Sequence, residues 1–394
     1  LQRVERHIIK NNDYKELAIK SKELYNQSLY YLRQMLFGNI EWCEEYGMTK
    51  LFAEFDEPCY RALPIQTSQQ IIKLLFKNWK SWLSSLKDYK KNSNKYKGRP
   101  RIPRYKKELF IVIFTNQQIK LKDRFIHFPK KLNLEPIKTK VNNVAQVRIL
   151  PRNNHFILEI VYNMLDVEPL KDNGNYLGID IGLNNLATCG SNVINSFIIN
   201  GRPLKSINQY YNKHKAKFQS ELEIKQKRKS SKRIKILSFK RNNKIQDYLH
   251  KSSRIIINRC KKNNINTIII GNNKLWKTNI NIGKRNNQNF VSIPFDTLIE
   301  QIKYKAEEIG INIKITEESY TSKCSALDLE PIKKHKKYLG KRVKRGLFKT
   351  SKGLHLNADM NGSLNIIRKE VCDADFFSQQ IEGLVLNPIK INIF

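Results

Sequence analysis

The chain has 394 residues, with 73 Lys and Arg against 35 Asp and Glu, a net charge of +38, and 40% hydrophobic content. That is enough apolar material for two or three buried cores; so basic a body attracts polyanions, nucleic acid before an anionic membrane surface. No apolar run approaches the ~18 residues of a membrane span, and Cys43, Cys59, Cys189, Cys260, Cys324 and Cys372 include no CxxC pair, which argues against a disulfide framework or a zinc cluster.

From Tyr14 to about Lys90 apolar residues recur at helical spacing, as in YKELAIKSKELYNQSLYYLRQMLF and SQQIIKLLFKNWKSWLSSLKDY. The segment KKNSNKYKGRPRIPRYKK, 90–107, then joins Gly98, Pro100 and Pro103 to a dense run of Lys and Arg. It reads as a basic loop, either a solvated linker or a contact to nucleic-acid phosphates through Lys97, Arg99, Arg101 and Arg104. Between 109 and 164 the period changes to short β-rich runs (LFIVIFT, RFIHFP, AQVRILP, HFILEIVYNM), a small barrel or sandwich. Phe110, Phe125, Phe128 and Phe156 stand there among basic residues, as core or as base-stacking groups.

After DVEPLKDNGN a second pattern opens with the hairpin YLGIDIGLNNLATCG and the strand SFIINGR. Helical periodicity from Leu204 to Asn263, the strand TIIIG, the helix DTLIEQIKYKAEEIG, the strand INIKITEESYTS and a helix starting near Asn357 complete it. Strands alternating with helices imply an α/β sheet with sites at strand carboxyl ends.

Asp180, flanked by glycines in GIDIG, sits where the backbone can approach a metal or phosphate closely. The same string fits the phosphate hairpin of an actin-like ATPase or a plain sharp turn, but no second Gly-rich phosphate loop follows. Asp359, in NADMNGSLNI, opens an amphipathic helix as a cap or as a ligand. Strand and helix aspartates together can hold Mg²⁺ or Mn²⁺, and two such ions ~3.5 to 4 Å apart serve phosphodiester hydrolysis.

With these residues in hand, LGIDIGLNNLAT, NKIQDYLHKSSRIII, ESYTSKCS and LNADMNGSLNI resemble the RuvC-type nuclease half of TnpB, the transposon-encoded RNA-guided nuclease family related to type V CRISPR effectors. SKELYNQSLYYLRQ and LPIQTSQQIIKLLFKNWKSW resemble its helical amino-terminal part. The resemblance implies an α/β and all-β multidomain protein: a wedge β-barrel (1–12 and 109–170) carrying a helical recognition insert (13–108), then an RNase H-like (RuvC) nuclease domain (171–371). A degenerate zinc-ribbon insert at about 319–354 and a tail, 372–394, without assigned role complete the division. It also implies a guide RNA from the transposon end, one protein monomer per RNA, target double-stranded DNA cut beside a target-adjacent motif, and Mg²⁺ or Mn²⁺ as cofactor. No membrane partner is expected. The first residues, LQRVERHIIKNND, lack the apolar core of a secretory signal, so the expected location is cytoplasmic, at the nucleoid of a bacterial or mobile-element host.

Two departures stand out. Relatives usually carry two CxxC pairs where this chain keeps only Cys324, so a four-thiolate zinc site is excluded and structural zinc is not expected. They also usually carry a glutamate where Gly271 ends TIIIG. Either the nuclease is dead and the chain is a guided repressor, or another acid serves. The neighbouring strand, about 4.8 Å away, ends in Glu317 and Glu318, and only one of two adjacent residues can face the site. Glu318 is favoured, with Glu317 the alternative, beside Asp180 and Asp359 as metal ligands and catalytic carboxylates. Further nucleic-acid contacts are expected from Lys251 and Arg254 on the basic helix and from Lys274, Trp276, Lys277 and Arg285 after the gap.

Overall fold

The computed structural model describes residues 1–9, 13–152, 155–273, 283–371 and 381–393, without the side chains of 284–286. The chain forms two compact units, Leu1–Leu165 and Asp166–Phe394.

In the first unit, strand β1 (Gln2–Ile9) is followed by four helices: α1 (Lys15–Leu36), α2 (Glu45–Glu54), α3 (Pro58–Arg61) and α4 (Ile65–Lys91). Helix α1 buries Leu17, Leu24, Leu29 and Leu32 on one stripe, with the small Ser21 and Ser28 between them. Helix α4 starts directly after Pro64 and buries Ile71, Ile72, Leu75, Phe76 and Trp79 against it. Strands β2 (Val112–Thr115), β3 (Lys120–Lys122), β4 (Phe125–His127), β5 (Ile137–Lys138), β6 (Val144–Arg152) and β7 (His155–Asn163) follow. An antiparallel sheet in the order β1-β7-β6-β2 returns the first strand to the last, so the helices are an insertion within one sheet. Phe110, Phe128 and Phe156 pack in this core, whereas Phe125 is exposed.

The second unit contains β8 (Tyr176–Ile181), β9 (Asn185–Ser191), β10 (Phe197–Asn200), α5 (Arg202–Gln226), α6 (Lys232–Lys262), β11 (Thr267–Gly271), α7 (Lys284–Val291), α8 (Phe295–Glu307) and β12 (Asn312–Thr316). A small sheet of β13 (Lys341–Lys344), β14 (Leu347–Lys349) and β15 (His355–Asn357) precedes α9 (Ala358–Arg368), α10 (Ile381–Val385) and β16 (Ile389–Ile391). The main sheet has the order β12-β11-β8-β9-β10-β16; β8, β11 and β12 are parallel and the β8-β9-β10 meander antiparallel. This is the strand arrangement of an RNase H-like sheet extended by one edge strand.

Side-chain alternation sets the two faces. Leu177, Ile179, Ile268 and Ile270 point into the core shared with α6 and α8, and Tyr176 and Ile269 into the core shared with α9. Helix α9 lies so close to β8 that a Cβ on Gly178 would strike the Ser363 carbonyl and Ile367. Residues 381–393, left without a role by the sequence reading, include α10 and the strand β16, whose Ile389 to Ile391 pair in parallel with Phe197 to Ile199. Three residues are too short a run to show a period. Among the described residues no helix is long and apolar enough to cross a membrane.

Candidate active site

Asp180 shares the parity of Gly178 on β8 and therefore faces α9. Its Oδ2 would lie 2.5 Å from a Cβ on Gly362, so the second glycine of the site lets helix and carboxylate meet. Asp359 stands in the first turn of α9, where Asn357 caps the helix by accepting from the Asp359 and Met360 amides (2.9 and 3.4 Å). The Asp359 carboxylate accepts from Asn185 Nδ2 at 2.8 Å and lies 3.6 Å from the Arg342 guanidinium.

Glu318 follows the end of β12 by two residues. Its side chain enters the space vacated at Gly271: a Cβ there would sit 2.5 Å from Glu318 Oε1 and 2.7 Å from its Cγ. Asn273 holds it twice, donating from Nδ2 to Oε2 (3.2 Å) and accepting from the Glu318 amide (3.0 Å). The buried Oε1 has no hydrogen-bond partner among the described residues. Glu317 is exposed, and its carbonyl accepts from Lys369 Nζ at 2.7 Å. Parity thus separates the two glutamates, and only Glu318 turns inward.

Burial raises the Asp180 carboxyl well above the usual carboxylate range; the charges of Glu318 and Asp359 add to this and Arg342 opposes it. Burial pushes Glu318 up to about 7, against the pull of Lys369. Oxygen donors alone, two of them destabilised as anions and one with an orphaned oxygen, suit a hard divalent cation. Among the described residues no group of three or more His, Cys, Asp or Glu side chains is placed to hold a metal ion.

A cleft of about 620 Å³ opens at Asp180 and Asp359. Arg202, Arg342, Arg345 and Lys390 line it, basic residues from three separate stretches that no single sequence window joins. Thr188, the cross-strand partner of Asp180, lines it too, with a buried hydroxyl that has no partner among the described residues. Sequence reading missed all five; excess charge was the sole available signal.

The other expected contacts fall elsewhere. Lys97, Arg99, Arg101 and Arg104 are exposed in the segment after α4. Lys251 is paired with Asp247 one turn before it at 2.9 Å and Arg254 with Glu308 after α8 at 3.7 Å, and neither lines the cleft. Lys274, Trp276, Lys277 and the Arg285 side chain lie outside the described residues.

Where the resemblance places two CxxC pairs in relatives, hydrogen bonds join the loops of this chain. Asp328 accepts from Ser325 Oγ (2.6 Å), Ser351 N (2.8 Å) and Ser351 Oγ (2.6 Å), and buried Glu330 accepts from the amides of Ser325 (2.6 Å) and Leu339 (2.8 Å). Cys324 Sγ lies 3.5 Å from the Lys333 carbonyl, and His335 Nε2 lies 2.7 Å from that of Pro331.

Two family models match these same regions. A probable transposase family, OrfB_IS605, covers residues 159–277, and a Cas12f1-like TNB domain covers 295–366. The TnpB-like protein ORF457 of Acidianus two-tailed virus is 30% identical over 129 residues, which is 32% of this chain but 22% of that relative. In fold, the Cas12f1–sgRNA–target DNA complex matches 90% of this chain and 81% of its own protein at a TM-score of 0.56 and 17% identity. The mini-RNA-guided endonuclease CRISPR-Cas_phi3 matches 93% and 92% at a TM-score of 0.50 and 9% identity. The fold is therefore similar to those of these two proteins. The family matches and the viral relative make the second unit similar to TnpB-type proteins, over a stretch that spans less than a quarter of that relative's length.

Proposed function

We propose that this chain is an RNA-guided DNA endonuclease that cuts guide-matched DNA beside a target-adjacent motif by Mg²⁺-dependent phosphodiester hydrolysis. Asp180, Glu318 and Asp359 form its carboxylate set. The observation that carries this reading is the Glu318 side chain standing in the space that a side chain on Gly271 would fill. A third carboxylate is thus supplied to the site from the adjacent strand's end, which favours a working nuclease over a guided repressor.

Mg²⁺ or Mn²⁺ held by these three carboxylates would supply an activated water and charge neutralisation at the leaving oxygen. The chain's own groups do the rest. Arg342, Arg345, Arg202 and Lys390 draw the phosphate backbone into the cleft. Asn185 and Arg342 orient Asp359, Asn273 orients Glu318, and the unpartnered Thr188 hydroxyl beside Asp180 is free to donate to a phosphate or water oxygen. We read the first unit as the wedge barrel with its helical recognition insert. The guide, a transposon-end transcript bound by one monomer, would supply sequence specificity by base pairing.

The test is cleavage of a guide-matched DNA library with Mg²⁺ by the protein co-expressed with its flanking RNA, alongside Glu318→Gln and Glu317→Gln. Cutting should vanish in Glu318→Gln, persist in Glu317→Gln, and leave matched-DNA binding intact in both. Tight binding without cutting by the parent protein would instead make it a guided repressor.

A further inference from the structure

The first unit holds a second cavity, of about 340 Å³, between α1, α4 and the segment Pro100 to Lys106. We infer that it takes one unpaired nucleotide of a bound nucleic-acid strand, with the base against Trp82 and the phosphate on Arg101 and Arg104. This rests on the nucleic-acid reading above and adds a site to it.

The walls are held in place before any ligand arrives. Trp82 Nε1 donates to the Pro100 carbonyl at 3.3 Å, and its ring meets the buried Trp79 edge to face at 5.1 Å, which fixes the indole plane. The strap is tied along its length: Arg33 donates to the Pro103 carbonyl at 2.8 Å, and Asn26 exchanges two hydrogen bonds with the Lys106 backbone (2.9 and 2.7 Å). The Lys106 ammonium is already engaged over the Tyr25 ring at 4.9 Å. Two prolines further limit the strap, so little ordering entropy remains to be lost on binding.

The free groups are those a nucleotide uses. Trp82 presents an aromatic surface, and stacking on such a surface is tolerant of base identity. Asn78 donates one amide N–H to the Tyr25 hydroxyl at 3.3 Å, and among the described residues its carbonyl oxygen and the Ser81 hydroxyl are unengaged, so both donor and acceptor edges are offered. At the mouth, Arg101 and Arg104 make no ion pair or hydrogen bond among the described residues, in a segment whose Pro100, Pro103 and Lys106 carbonyls are bound. The volume lies at the lower end of small-ligand sites, which matches one nucleotide rather than a duplex.

The probe is a pair of single strands, RNA and DNA, about ten nucleotides long and carrying one 2-aminopurine, titrated against the full chain at several salt concentrations. Binding should quench the fluorophore, and Trp82→Leu should abolish the quench. The double variant Arg101→Ala, Arg104→Ala should weaken binding by about tenfold and lower the salt slope by about one to two phosphates. Should Trp82→Leu fold poorly by circular dichroism, Ser81→Trp, which fills the cavity from the helix surface, should give the same loss. A stronger effect on the RNA arm identifies the guide as the source of the nucleotide, and on the DNA arm the target. If the parent protein binds either strand while all variants bind and quench as it does, the cavity is no site and the nucleic-acid reading survives. If the parent binds neither strand, both fall together.

Discussion

Asp180 and Glu318, near enough for the charge of Glu318 to act on Asp180, are positioned by different means. Asp180 sits inside the sheet, paired with Thr188 on β9, while the preceding Ile179 is registered against Ile270 on β11. The ladder on both sides fixes which face its side chain takes, and a slip of one residue would turn it away. Glu318 lies outside any ladder. It is placed by Asn273, by the Thr321 hydroxyl donating to its carbonyl at 2.8 Å, and by a turn in which Tyr320 is held at φ +63. A left-handed backbone is costly for an aromatic residue and persists only where its surroundings over-determine it. A functional group carried by pairing register is insulated from its neighbours; one carried by a loop depends on everything that holds the loop.

Three experiments test that contrast. The largest effect is expected at Asp180→Asn, which keeps the sheet but removes the ladder-held carboxylate. Cutting should fall on the order of a thousandfold with melting temperature nearly unchanged, read by single-turnover cleavage and calorimetry. A stable variant that still cuts would remove Asp180 from the chemistry.

The second exchanges the two origins. Gly271→Glu alone crowds Glu318 and Ile366 and should destabilise by about 1–3 kcal/mol. Combined with Glu318→Gly, it should recover at least about tenfold of the cutting lost in Glu318→Gly alone. No recovery would mean that the loop placement, and not the occupied volume, is what matters.

The smallest effect is expected at Asp328→Ala, which loosens the insert behind Glu318 while leaving β8 untouched. Losing the bonds from Ser325 and Ser351 should cost about 1–3 kcal/mol and lower cutting a few-fold, with hydrogen exchange rising at 325–351 but not along β8. Burial alone would raise the Asp328 carboxyl, yet the bonds from Ser325 and Ser351 outweigh it and hold the group below its usual value of 3.8. Its contribution is therefore complete above that value and lost as pH falls through the depressed folded one. Acid loosening of the insert below about pH 4 should disappear in the alanine variant.

Much of this was written locally. The apolar stripes of α1 and α4, the run Thr267 to Ile270 and the Asn357 cap each show their element in one window, because helix and strand periods are short. Asp180 stood out by its glycines, which here meet α9 directly at Gly178. Lys251 and Arg254 pair with Asp247 and Glu308 away from the cleft, partners that the helix's excess of base did not reveal. Cys324 alone told that thiolate ligands were missing, but not that Asp328 and Glu330 would join the same loops.

By itself, the sequence determined the order of strands and helices, the basic character of the surface, the two aspartates, and a glycine with two candidate glutamates after the next strand. Only the tertiary structure decided that Glu318 rather than Glu317 enters the Gly271 space, that β16 closes the sheet edge, and that Arg202, Arg342, Arg345 and Lys390 share one cleft. Local periodicity fixes what a segment becomes; the direction of a side chain beyond a strand's end, and the meeting of residues far apart in sequence, follow from packing that no window of sequence contains.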